Sequence, residues 1–115
     1  MSVQAYKRVR TVSEAPRSAE YRLLGQVTGA LIAAEEAGLS GPALMDALHW
    51  NREIWATFGA ACADGANGLP PPVRAGIVSL SLWVDRHSSA VVAGREGVRD
   101  LIDINRMVMD GLAAG

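Results

Sequence analysis

Apolar residues recur with a helical period in four stretches of this chain. From about 15 to 37, Ala19, Leu23, Val27, Ala30, Leu31 and Ala34 fall on one face. From about 41 to 63 the stripe is Leu44, Leu48, Asn51, Trp55, Phe58 and Cys62, widened by Trp50, Ile54 and Ala61. From about 70 to 93 it is Val73, Ile77, Leu80, Val84, His87 and Val91, with Trp83 one step aside. From about 96 to 113 it is Val98, Leu101, Asn105, Val108 and Leu112, flanked by Ile102, Ile104 and Met109. Pro16, Pro42 and the run Pro70 to Pro72 each precede a stretch, where a missing amide proton costs a helix nothing. Gly38 and Gly94 stand where a left-handed residue ends a helix. Asp64-Gly65 and Asn67-Gly68 lack the flanking alternation of a hairpin and predict an interhelical loop. No segment reads as a strand in isolation, although residues 3–6 (VQAY) could pair as one beside a partner. The pattern predicts an all-α, compact four-helix bundle-like domain over residues 15–115, preceded by an N-terminal arm over residues 1–14.

Two of the stripes are interrupted by the same dipeptide, Asn51-Arg52 and Asn105-Arg106. A polar side chain on an apolar face must have its hydrogen bonds met. Each asparagine therefore either fixes the register of packed helices or reads the backbone of a segment docked from outside.

Charge sharpens this picture. The 115 residues have a formal net charge of -1, but residues 1–22 sum to +3 and the remainder to -4. Affinity resting on phosphate contacts does not fit such a body, so no direct nucleic-acid binding is expected of it. The basic arm, with Ala5, Val9 and Val12 at helical spacing, becomes amphipathic only against an apolar partner and is otherwise a solvated tail. Cys62 is the only cysteine, which excludes an internal disulfide. Neither a signal-peptide core nor a membrane-length apolar run occurs, so a cytoplasmic location without membrane contact is expected.

Candidate chemistry is sparse. Asp46, His49 and Glu53 share a face of the second helix, but the fourth helix offers no histidine to complete a bundle metal site, so a solvated face with a local ion pair is the expected outcome. Cys62 and His87 lack the oxyanion donors and activated thiol that nucleophilic catalysis needs. Gly94 and Gly97 have no strand before them, so no phosphate loop forms. Neither catalysis nor a cofactor is expected. His87 is expected to bond a neighbouring carbonyl, Asn51 or Asn105, or else a bound peptide.

The order AYKRVR, APRSAEYRLLGQVTGALIAAE, ALHWNREIWATFGAACAD, LPPPVRAGIVSLSLWVDRHSSAVVAGRE and LIDINRMVMDGL resembles the flagellar biosynthesis regulator FlaF family nearly end to end. The most specific blocks are Asn51 to Trp55, Ser79 to His87 and Leu101 to Leu112. The resemblance implies a small protein needed for flagellin production and filament assembly, with flagellin as partner and FlbT, a regulator of flagellin messenger RNA, acting beside it. Two roles follow from it: a flagellin-binding export chaperone, or a regulatory adaptor of flagellin synthesis. In the first, a groove takes a terminal flagellin helix. Asn51 and Asn105 are then its fixing points, Trp55 and Trp83 its anchors, and Arg52 and Arg106 its charged rim. His87 and, in the arm, Tyr6 complete the candidate partner-binding residues.

Overall fold

The computed structural model describes the backbone of residues 3–65 and 68–114, and the side chains of residues 19–65 and 68–112. Four helices make up the described chain: α1 Val3–Glu36, α2 Pro42–Ala63, α3 Pro71–Val92 and α4 Arg99–Ala114. None is long and apolar enough to cross a membrane. The helix of α1 begins at Val3, ahead of the start expected near 15, and takes in VQAY and Pro16. The side chains of the N-terminal arm, Tyr6 among them, lie outside the described residues.

The helix ends follow from local chemistry. Gly38 has φ 63° and Gly94 φ 75°, conformations that glycine adopts without strain. Around each, two amides fold back on carbonyls that the helix would leave unpaired. Leu39 N–H donates to Ala34 O at 2.9 Å and Gly38 N–H to Glu35 O at 3.1 Å. Arg95 N–H donates to Ala90 O at 2.9 Å and Gly94 N–H to Val91 O at 3.0 Å. Both ends are thus the paired six-to-one and five-to-two closure of a Schellman motif. Pro42 opens α2 and Pro71 opens α3, neither with a side-chain cap. The end of α2 is closed from α3, because Arg74 Nη1 donates to Asp64 O at 3.2 Å and Cys62 O at 3.5 Å. A cation there also meets the negative end of the helix dipole. Helix α4 starts three residues later than expected, since Glu96 and Gly97 complete the chain reversal that Gly94 begins.

In cross-section the order is α3, α2, α1, α4: α1 packs on α2 and α4, α2 packs on α3, and α3 barely meets α4. The core joins Leu24, Val27 and Leu31 of α1 to Leu48, Trp55 and Phe58 of α2, Val84 of α3, and Leu101 and Ile102 of α4, each essentially without solvent exposure. Burying such a side chain contributes about 1.5–3 kcal/mol. Close approach of α2 to α3 depends on Gly59, where an added Cβ would stand 2.7 Å from Ser81 Cβ and nearer still to its hydroxyl. The bundle is therefore closed on three sides. The fourth, between α3 and α4, is open.

Candidate functional site

Asn51 and Asn105 meet at the centre of the core, both at 0% exposure. Trp55 Nε1–H donates to Asn105 Oδ1 at 2.7 Å. An indole nitrogen can only donate, so this bond fixes which end of the Asn105 amide is oxygen. Asn105 Nδ2 then donates to Asn51 Oδ1 at 2.9 Å and to Thr28 Oγ1 at 3.1 Å. Thr28 passes its own proton to Leu24 O at 2.6 Å. The chain of donors is fully determined, and it ties α1, α2 and α4 at one point. It leaves Asn51 Nδ2 buried without a partner among the described residues.

This placement corrects the expected groove. Asn51 and Asn105 spend their hydrogen bonds on one another and on Trp55 and Thr28, and Trp55 is 1% exposed. Side chains sealed in this way cannot fix or anchor a docked segment while the helices stay packed. The other expected contacts are dispersed. Arg52 reaches across to α3, with Nη2 2.7 Å and Nε 3.2 Å from Asp85 Oδ1. Trp83 is half-buried and stacks on His87, ring centroids 4.6 Å apart and planes 16° from parallel. His87 Nε2 lies 3.3 Å from Gly97 O, the neighbouring-carbonyl alternative of the sequence reading. Arg106 is exposed. On α2, where a local ion pair is expected, His49 Nε2 lies 3.0 Å from Glu53 Oε1.

An open apolar surface lies elsewhere. Where α3 and α4 diverge, Leu69, Pro70, Val73 and Ile77 face Met107, Val108, Gly111 and Leu112 across a groove of about 460 Å³. That volume falls in the range of occupied pockets, ~300–1,000 Å³. Val73 is 45% exposed and Met107 54%, although both continue apolar faces of their helices. Gly111 adds no side chain to the wall, and a Cβ built on it would meet no other atom within 4 Å. The sequence signal for this site was the stripe of α3 running out to Val73 and that of α4 to Leu112. Nothing local marks where those two stripes part.

Cys62 is buried in the core and unpaired. Burial pushes its thiol up, Glu20 adds to the rise, and Arg74 opposes it. The neutral thiol is therefore favoured, and it behaves as a small hydrophobe rather than a nucleophile.

A family model described as flagellar protein FlaF matches residues 2–112. No match occurs among curated proteins or among solved structures.

Proposed function

We propose a function from one premise: the chain belongs to the flagellar protein FlaF family. Its role in this reading is that of a flagellin-binding chaperone of filament assembly, which holds one terminal segment of unpolymerised flagellin as a helix between α3 and α4. The observation that carries the reading is the apolar groove of Val73, Ile77, Met107, Val108 and Leu112, open between two helices that barely meet. An amphipathic helix laid there supplies the missing fourth side of the bundle. Covering the exposed halves of Val73 and Met107 contributes about 1–3 kcal/mol together, a start toward micromolar affinity once the partner's own buried side chains are added. Gly111 lets the incoming backbone approach α4 closely.

The role gives the core network a different task from the one its sequence position suggests. Asn51, Asn105, Trp55 and Thr28 hold α1, α2 and α4 in register, so the α4 wall of the groove is set before the client arrives.

Mixing the purified protein with full-length and end-truncated flagellin tests the proposal. A complex that forms with full-length flagellin and is lost on removal of one terminus supports it. A complex that forms only with FlbT or messenger RNA present would favour the adaptor role and overturn the chaperone.

A further inference from the structure

We propose that His87, Glu96 and Asp100 form a binding site for one divalent transition-metal ion of the zinc class at the α3–α4 turn. One nitrogen of His87 and one oxygen of each carboxylate all lie within 4.8 Å of one another. The three come from different elements: His87 from the end of α3, Glu96 from the reversal after Gly94, and Asp100 from the first turn of α4. A site of this kind is invisible in local spacing, because only the Gly94 turn brings Glu96 back over His87.

The imidazole is the component that distinguishes this cluster from an ordinary patch of surface acids. Its side chain is only 9% exposed, and Trp83 stacked on it fixes the plane of the ring. Nε2 points into the cluster, with Asp100 Oδ2 at 3.9 Å and Gly97 O at 3.3 Å. The carbonyl contact is longer than the usual ~2.9 Å, and an ion at Nε2 replaces it, taking the lone pair that this nitrogen offers when the proton sits on Nδ1. Neither carboxylate is neutralised by a lysine or arginine ion pair among the described residues, since Arg99 is turned to Glu35 and Arg52 to Asp85. An oxygen–oxygen–imidazole set selects zinc-like ions over magnesium, which prefers oxygen and water alone. Three protein ligands also leave coordination positions for water or for a partner's side chain.

Titration of the full-length, chelator-treated protein with Zn²⁺, read by calorimetry and by the shift in melting temperature, tests the site. The expected result is one ion per chain, binding at least tenfold weaker in Glu96→Gln and in Asp100→Asn, and no response to Mg²⁺. His49→Asn, on the exposed face of α2, should leave Zn²⁺ binding unchanged. Glu96 and Asp100 are exposed, so their variants report on the metal without disturbing the fold as a His87 substitution would. No Zn²⁺ binding at ~100 μM, or binding that follows His49 and ignores Glu96 and Asp100, would overturn the proposal.

Discussion

Replacing Asn105 with alanine should cost far more stability than replacing Asn51, although both are equally buried and lie on equivalent stripes. Asn105 accepts from Trp55 Nε1 and donates to both Asn51 Oδ1 and Thr28 Oγ1, so its loss strands an indole N–H and an amide oxygen inside the core. Thr28 keeps its bond to Leu24 O. Two newly unmet buried groups at about 1.5–2 kcal/mol each, inside the usual range of about 1–3, give a destabilisation of about 3–4 kcal/mol, and the small cavity adds to it. Among the described residues the Asn51 side chain makes one hydrogen bond, and its Nδ2 has no partner. Substitution there removes that standing penalty, and Asn105 Nδ2 retains Thr28. The net loss should be about 1 kcal/mol, and Asn51→Leu should approach neutrality. Urea and thermal melts followed by circular dichroism read both effects, with Asn105→Ala lowering the midpoint by roughly 12–16 °C at about 4 °C per kcal/mol. The double substitution should cost about 1–2 kcal/mol less than the sum of the single ones, because the two amides share a bond. Equal losses at the two sites, or strict additivity, would refute the donor order derived from Trp55.

Gly59→Ala should destabilise by about 1–3 kcal/mol in the same melts, because the added methyl has to push α3 away at Ser81. Cys62 should resist thiol reagents in the native protein and react on unfolding. Its raised pKa means that the folded state holds the proton more tightly, so its stabilising contribution is complete below the ordinary thiol range of ~8.5 and declines as pH rises beyond it, measurable as a falling melting temperature in Cys62 protein relative to Cys62→Ala. RNA affinity of the isolated protein should be weak and abolished by moderate salt in a filter-binding or anisotropy titration, given the net charge of -1.

The helices were legible because their punctuation is chemical and local. Pro42 and Pro71 remove an amide where none is needed, and Gly38 and Gly94 take the positive φ that closes each helix. The stripes likewise placed Asn51 and Asn105 on inward faces. What periodicity does not contain is the identity of the group opposite. Whether a buried amide looks at a neighbour or at a visitor depends on which helices pack together, and Trp55, Thr28 and both asparagines meet only in the folded bundle. The late start of α4 has the same origin, since Glu96 and Gly97 fit a helix by pattern but are needed for the turn. The groove was hidden for a related reason: Val73 and Leu112 look like core positions in their own helices, and they stay open because α3 and α4 splay apart.

Gly111→Leu tests whether the flagellin segment sits between α3 and α4. The substitution grows a side chain into the groove, meets no atom of the protein within 4 Å at its Cβ, and replaces a helix-interior glycine, a change that favours the helix by up to about 1 kcal/mol. Binding of flagellin, or of its bound terminal segment as a labelled peptide, is measured by anisotropy alongside the melting temperature. Affinity should fall at least tenfold, with the melting temperature unchanged or raised. Undiminished flagellin binding by a fully folded Gly111→Leu protein would contradict the proposal and move the client's seat away from the α3–α4 groove.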